Sequence, residues 1–551
     1  MDTNQLIECV PNFSEGRDME IIKQITNEIE AVQGVRLLNV DPGKATNRTV
    51  VTFVGNPAAV VEAAFRAIKK AGELIDMSKH KGEHPRMGAT DVCPLIPIAN
   101  ISMEETAVYA QQLAKRVGDE LNLPVYLYES AQPDKTRSNL SFIRAGEYEG
   151  FFKKINEFKP DHGPAVFDAK RGATVIGARD FLVAYNVNLN TTSTRRANAI
   201  AFDVREAGRK IKDDSGQMIT VPGSLKSVKA IGWFIEEYGV AQISINLTNI
   251  NITPVHIAFD EVCRKAEARG IRVTGSELVG LIPLKAMLDA GKHFLRKQKR
   301  STGVSEKELI RIAVLSMGLD ELAPFKPEEK IIEYVLKDNN EDRLVSMPLN
   351  EFANETASES PAPGGGSIAA YIGSLGISLG TMVANLSSHK KGWDDRWEEF
   401  SNWAEKGQQY KDELLKLVDA DTKAFNQIMA AMGLAKGTDE EKKIRTSAIQ
   451  GATKNAIEVP FRVMQLSYDS MEVIKAMAES GNPNSVSDAG VGALCARSAV
   501  MGAFMNVRIN AGGLNDKNFV DDVLRKGKEI EERVKQLEGE ILDVVNSKIV
   551  I

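Results

Sequence analysis

Between Asp76 and Pro94 the chain reads DMSKHKGEHPRMGATDVCP, where His80, Lys81, Glu83, His84 and Arg86 fall within seven positions. Gly82, Pro85 and Gly88 interrupt any helix or strand, so the segment is expected to be a loop. Histidine has an unperturbed pKa of about 6.5 and can both accept and release a proton near neutral pH. Proton transfer is the chemistry these residue types suit; a charged, solvated turn is the plainer alternative. His80 and His84 are four apart and on a helix could share a metal, but the glycine and proline argue against a helix, no third ligand is evident, and no metal is expected. Two further polar loop tips stand nearby in sequence: VPNFSEG with Asn12, Ser14 and Glu15, and DPGKATNRT with Asp41, Lys44, Asn47 and Arg48. Asp41 follows an apolar strand, where a carboxylate can orient an imidazole and raise its basicity, although an Asp before Pro42-Gly43 is also a good turn residue.

A second set lies near the C-terminus. PAPGGGS, Pro361 to Ser367, precedes a helix, and its glycines could let backbone N–H groups approach a ligand or simply form a tight entry turn. LVDADTKAF places Asp419 and Asp421 in an apolar helical stretch; two positions apart on a helix they point about 200° apart, so only one can face a given pocket. A carboxyl on the apolar face, its pKa raised by burial, is a credible general base. Ser485, Ser487 and Asp488 read equally well as helix caps, and Asn506 and Asn510 lie one turn apart. GATVIGAR, Gly172 to Arg179, is loosely like a phosphate loop but matches neither the dinucleotide nor the Walker pattern.

The elements that must position these groups differ along the chain. From the N-terminus, short apolar runs alternate with amphipathic helical patterns: strands 6–10, 35–40, 49–54, 91–96 and 125–128, helices 19–32, 58–74 and 104–121. The opening order βαββαβ is that of a ferredoxin-like sheet with helices on one face. The order recurs in strand 181–189, helix 195–212, strands 227–234 and 241–247, helix 255–269 and strand 271–276. Two such units should leave a cleft, with the connecting segment bearing His162, Lys170 and Arg171 entering it. LKDNNEDRL, 336–344, reads as a linker, and beyond it only helical pattern is found: 368–385, 396–432, 440–477, 488–510 and 517–545. The expected fold is therefore α+β in the first half, as two ferredoxin-like subdomains over 1–178 and 179–327, then a linker over 328–345 and an all-α bundle over 346–551.

At 551 residues the chain exceeds one core, and 43% hydrophobic with 26% charged residues is ordinary for a globular protein. A net charge of -6 argues against general nucleic-acid binding and for a small-molecule substrate. Cys9, Cys93, Cys263 and Cys495 form no CxxC pair, which fits a reducing cytoplasm, and no signal peptide is read at the N-terminus. Ile368 to Leu386 is nearly long enough to span a bilayer, but its glycines, serines and Asn385 make it read as a packed core helix, so no membrane partner is expected.

With these residues in view, the chain resembles the formimidoyltransferase-cyclodeaminase family, folate enzymes of histidine breakdown. ECVPNFSEG from Glu8, NRTVVTFVG from Asn47, IDMSKHKGEHPRMGATDVCP from Ile75, IRAGEYE from Ile143 and GATVIGAR from Gly172 resemble the transferase half. APGGGS from Ala362, VDAD from Val418 and Ser487-Asp488 resemble the cyclodeaminase half. The resemblance implies transfer of a formimidoyl group from N-formimidoyl-L-glutamate to tetrahydrofolate, then ring closure to 5,10-methenyltetrahydrofolate with loss of ammonia. It implies His84 as the transferase acid/base with Asp41 as its supporting carboxylate, and Asp421 as the cyclodeaminase proton acceptor. It also implies folate binding at Gly163, Pro164, Ala165, Val166, Phe167, Asp168, Ala169, Lys170, Arg171 and Gly172, where PAVFDAKR departs from the family's pattern. Arg48, Arg86 and Lys170 are candidates for gripping the carboxylates of glutamate or folate. Tetrahydrofolate would be a co-substrate, possible polyglutamylation included, with no metal or nucleotide, in a homo-oligomer.

Overall fold

The computed structural model describes residues 5–44, 46–82, 84–335 and 344–549. Two compact units are separable: one takes in the chain up to Ala290 together with Ala313 onward to the linker, the other Gly291–Ile312 and the C-terminal region. The first unit opens with β1 (Leu6–Cys9), β2 (Asn12–Phe13), α1 (Met19–Glu30), β3 (Val35–Gly43), β4 (Arg48–Gly55), α2 (Pro57–Leu74), β5 (Thr90–Ala99), α3 (Met103–Leu121), β6 (Val125–Glu129), α4 (Leu140–Arg144), α5 (Glu147–Glu157) and β7 (Thr174–Ala178). β1 and β2 act as one strand interrupted at Pro11, since each pairs antiparallel with β4 on one side and β5 on the other. β3 extends the sheet beyond β4, and β7 and β6 extend it beyond β5 in parallel.

Alternation along these strands sends successive side chains to opposite faces. Ile7, Cys9, Val51, Phe53, Cys93 and Leu95 go to one face and pack with the apolar stripes of α1, α2 and α3. Val92, Tyr126, Tyr128 and Val175 go to the other, where Ile143, Phe151 and Ile155 of α4 and α5 cover them. Each main helix starts on a polar cap, Asp18, Asn56 or Ser102, the last in a reciprocal capping box with Glu105. GATVIGAR is not a phosphate loop: its centre is β7, a strand buried along its length. A run of small and β-branched residues is as natural in a covered parallel strand as in a loop.

A second sheet follows: β8 (Val183–Leu189), α6 (Thr194–Val204), the hairpin β9 (Arg209–Lys212) and β10 (Met218–Val221), β11 (Val228–Ile235), β12 (Val240–Leu247), α7 (Val255–Glu267) and β13 (Val273–Val279). Its order is β11-β12-β8-β13, antiparallel throughout. The helix expected through Lys212 stops at Val204; Arg209–Lys212 instead pairs with Met218–Val221. The cause is the Glu-Ala-Gly after Arg205, where Gly208 takes φ +58 and turns the chain out of the helix.

α8 (Leu284–Lys297), α9 (Glu306–Met317), α10 (Pro327–Lys330) and α11 (Ile332–Val335) close this region, so the expected linker begins helical, with Ile331 fully buried. Residues 336–343 of that linker lie outside the described residues.

The second unit is helical: α12 (Leu349–Thr356), α13 (Gly365–Ser388), α14 (Trp397–Met432), α15 (Asp439–Ser480), α16 (Val486–Ala511) and α17 (Lys517–Lys548). α13 packs against α14, α15 and α16. A methyl group on Gly376 would come within 2.9 Å of the Gly492 carbonyl, which is how closely α13 and α16 approach. α13 and the stretch Pro483–Ala511 are long and apolar enough to cross a membrane, but 61% and 50% of their apolar windows are buried inside the bundle.

Candidate active sites

In the first unit the sheet faces not covered by helices enclose a cavity of about 1030 Å³. Glu8, Asn12, Arg48 and Thr52 reach it from the first sheet, Asn186, Lys229, Gln242 and Glu277 from the second. His84, Asp41 and Arg144 also line it. Of the two loop histidines, His80 is locked into the structure: its Nε2–H donates to the Asn47 carbonyl at 2.8 Å and its Nδ1 accepts from Arg86 Nε at 3.1 Å. Gly82 lets the loop lie down, because a Cβ there would sit 2.2 Å from the Thr46 carbonyl oxygen. Glu83 lies outside the described residues.

His84 is the histidine at the cavity. Its Nδ1 stands 2.9 Å from Arg48 Nη1 and 2.8 Å from the Pro85 carbonyl. A neutral ring can accept from the guanidinium or donate to the carbonyl, and which it does fixes the tautomer. Burial, with the cations of Arg48 and Arg144 beside it, drives the His84 pKa down to about 3. The unliganded ring is therefore a neutral base at physiological pH.

The carboxylate of this cluster is Asp91 at the start of β5, fully buried. It bonds to Arg48, accepts from Arg144 Nη2 at 2.7 Å, and accepts the Met87 N–H at 3.0 Å. Burial pushes its pKa up, and the two arginines more than reverse that, leaving it below the usual carboxylate range. Arg48 is fixed further by Asn12 Oδ1, at 3.1 and 2.9 Å from its Nε and Nη2.

The expected partner of the imidazole, Asp41, makes its hydrogen bond elsewhere. Its Oδ2 accepts the Gly280 N–H at 3.0 Å, tying β3 to the end of β13 while remaining at the cavity wall. Arg86 is engaged away from the cavity, by Glu149 at 2.6 and 3.0 Å and Glu147 at 3.3 Å, fastening α5 to the His loop. Lys170 donates to the Glu73 carbonyl at 2.8 Å and Arg171 to Asp168 at 2.6 Å. No residue of Gly163–Gly172, nor His162, lines the cavity; the segment runs past β6, where the His162 carbonyl accepts the Val125 N–H at 2.9 Å. Asp91, Arg144 and Glu8 were not singled out from sequence, although all three sit inside motifs quoted above.

In the helical unit, Asp421 on α14 meets the first turn of α13. Its Oδ2 lies 3.1 Å from Ser367 Oγ, and the Ser367 backbone N–H also reaches it. Gly364 caps α13 without a side chain, so this carboxylate supplies the negative charge favoured at a helix start. A Cβ on Gly366 would fall 2.1 Å from Asp421 Oδ1, which is what that glycine is for. Burial raises the Asp421 pKa, with the Ser367 bonds pulling the other way. Asp419 points elsewhere and accepts the Leu344 N–H at 2.9 Å. Asn506 stands beside Gly365, whereas Asn510 Nδ2 is spent on the Ala456 carbonyl at 2.8 Å.

The fold and its two candidate sites define a two-unit chain, an α+β unit with a histidine at a large cavity and a helical unit with a half-buried aspartate. Residues 6–179 match the family described as formiminotransferase domain, N-terminal subdomain, residues 184–337 the formiminotransferase domain, and residues 348–529 formiminotransferase-cyclodeaminase. A formimidoyltransferase-cyclodeaminase of Gallus gallus is 44% identical over 547 residues, 99% of each chain. A glutamate formimidoyltransferase of Thermoplasma acidophilum is 44% identical over 53% of this chain and 92% of its own, and a methenyltetrahydrofolate cyclohydrolase of Methylorubrum extorquens is 37% identical over 35% and 87%. The chain belongs to the formimidoyltransferase-cyclodeaminase family.

Proposed function

We infer that this chain moves the formimidoyl group of N-formimidoyl-L-glutamate to N5 of tetrahydrofolate, and then closes 5-formimidoyltetrahydrofolate to 5,10-methenyltetrahydrofolate with release of ammonia. The observation that carries the reading is full-length similarity to a relative named for both activities, supported by a histidine at the cavity and an aspartate at the start of α13 whose chemistry suits one step each.

In the first step N5 attacks the amidine carbon, N5 loses a proton and the departing glutamate nitrogen gains one. His84 can carry that proton. Its low pKa comes from burial and from Arg48 and Arg144. Substrate carboxylates drawn to those arginines would offset their charge and lift the ring toward a pKa suited to shuttling. Asp91 holds both arginines in place. In the second step N10 attacks the same carbon, its proton passes to the imino nitrogen, and a further proton lets the nitrogen leave as ammonia. A carboxyl whose pKa is raised, Asp421, is suited to hold and return protons.

The strand order of the second sheet supports the ferredoxin-like reading of that region, and the family matches support subdomains near 1–178 and 179–327 and a cyclodeaminase domain over 346–551. The transferase-domain match runs on to residue 337 and Ile331 is buried, so the linker read over 328–345 starts later than expected. A homo-oligomer in the cytoplasm serving histidine breakdown, using polyglutamylated folate, belongs to the same reading. Gly163–Gly172 as a folate contact would require folate to extend beyond the cavity walls. For the helical unit a second reading, hydrolysis of 5,10-methenyltetrahydrofolate, draws on the name of the Methylorubrum relative.

Purified protein given both substrates should release L-glutamate and ammonia and develop the near-ultraviolet absorbance of the methenyl product. Glutamate release without that absorbance would overturn the second step, and an absorbance that decays with enzyme concentration would favour the hydrolytic reading.

A further inference from the structure

Glu8 has no part in the chemistry above, yet it is placed as a ligand-binding group. It lies on β1 with its side chain on the cavity face of the sheet, the face that also carries Asn12 and Thr52. It is only 3% exposed and, among the described residues, no hydrogen-bond donor reaches its carboxyl. Its wall neighbours Val10 and Ile96 are apolar. Burial lifts its pKa to about 7, and Arg179 is the charge that opposes the rise. A buried carboxylate without donors is costly, and a ligand bringing two N–H groups removes that cost.

We propose that Glu8 holds the pyrimidine edge of the pterin ring, accepting from N3–H and the 2-amino group of tetrahydrofolate. The proposal rests on the folate reading above. Along the sheet Glu8 stands four residues from Asn12, about 13 Å of strand, and Asn12 bonds the Arg48 that touches His84. The pterin carries its reacting N5 in one ring and this N–H edge on the other, so with the edge held at Glu8 the bicycle and the side chains at either end together span the cavity wall toward His84. The other ligand with adjacent N–H groups is the amidine of formimidoylglutamate. Its carbon must lie at His84, beside Arg48 and Arg144, which attract that substrate's carboxylates and keep its amidine away from Glu8.

The test uses the full-length protein, varying tetrahydrofolate at saturating formimidoylglutamate and following L-glutamate release. Glu8→Gln keeps the shape but supplies one acceptor in place of two, and should raise KM for tetrahydrofolate about 10- to 100-fold, with kcat and KM for formimidoylglutamate little changed. As acceptor, 2-desamino-tetrahydrofolate should be disfavoured by the parent protein to a similar degree and no longer disfavoured by Glu8→Gln. An unchanged KM for tetrahydrofolate, or a loss falling on formimidoylglutamate instead, would overturn the assignment. So would a parent protein that uses the 2-desamino compound as well as tetrahydrofolate, a result that needs no variant. If the parent released no glutamate at all, the folate reading itself would fall.

Discussion

At the scale of single residues, His84 and Asp421, the two groups proposed to handle protons, have pKa values shifted in opposite directions by their surroundings, and the shifts make distinguishable predictions. Replacing His84 by Ala should lower kcat/KM for formimidoyl transfer by about 10²- to 10⁴-fold, the usual worth of a positioned acid–base group. The imidazole is held near a pKa of about 3 by burial and then by Arg48 and Arg144. Taking away one cation should raise it. Arg144→Met is therefore expected to move the acid limb of the kcat/KM profile to higher pH, and a limb that stays in place would contradict the electrostatic account. Asp421 has the opposite sign. Its folded pKa is raised, so the stability it confers is fully present below the unfolded value of 3.8 and is lost as pH rises through the folded value. Asp421→Asn should thus unfold at a higher temperature than the parent at pH 7, with the difference shrinking toward pH 3, while losing ring closure. Thermal unfolding followed at both pH values checks the sign.

Among the elements, the meeting of the α13 start with α14 gives the sharpest test. Gly366→Ala puts a carbon where Asp421 Oδ1 now sits 2.1 Å away, so the carboxylate must leave the helix start. A displacement of about 1 Å is enough to cost about 100-fold. Ring closure should fall by that order while glutamate release is kept; equal loss of both would mean that the helix itself had failed. This element and the long helices around it were legible from the 3.6-residue periodicity, with ends within a few residues. Most strands of the first unit were legible as well. What escaped had physical reasons. α6 ends early because Gly208 turns the chain, and the β9–β10 hairpin is exposed and carries no apolar alternation to betray it. α4 and α5 are short and cover only part of the sheet, so their periodicity is brief. His84 could be picked out because an imidazole in a charged, broken loop is unusual. Asp91 could not, since an acid opening an apolar strand looks like a turn residue until Arg48 and Arg144 are seen to converge on it. The partners that Arg86 and Lys170 have, Glu149 and the Glu73 carbonyl, were not legible because a cation's partner is set by tertiary contacts that no local spacing reveals.

For the molecule as a whole, the proposed function has one carbon handled twice, by an imidazole in the α+β unit and by a carboxyl in the helical unit. The two steps then fail separately. His84→Ala should leave ring closure of chemically prepared 5-formimidoyltetrahydrofolate intact, because that group belongs to the other step. The most direct measurement is a single-turnover experiment on Asp421→Asn with both substrates present, quenched over time and resolved for L-glutamate, formimidoyl-folate and methenyl-folate. Glutamate should appear at the parent rate with an equal amount of 5-formimidoyltetrahydrofolate accumulating beside it. Methenyl-folate forming as fast as in the parent would contradict the account.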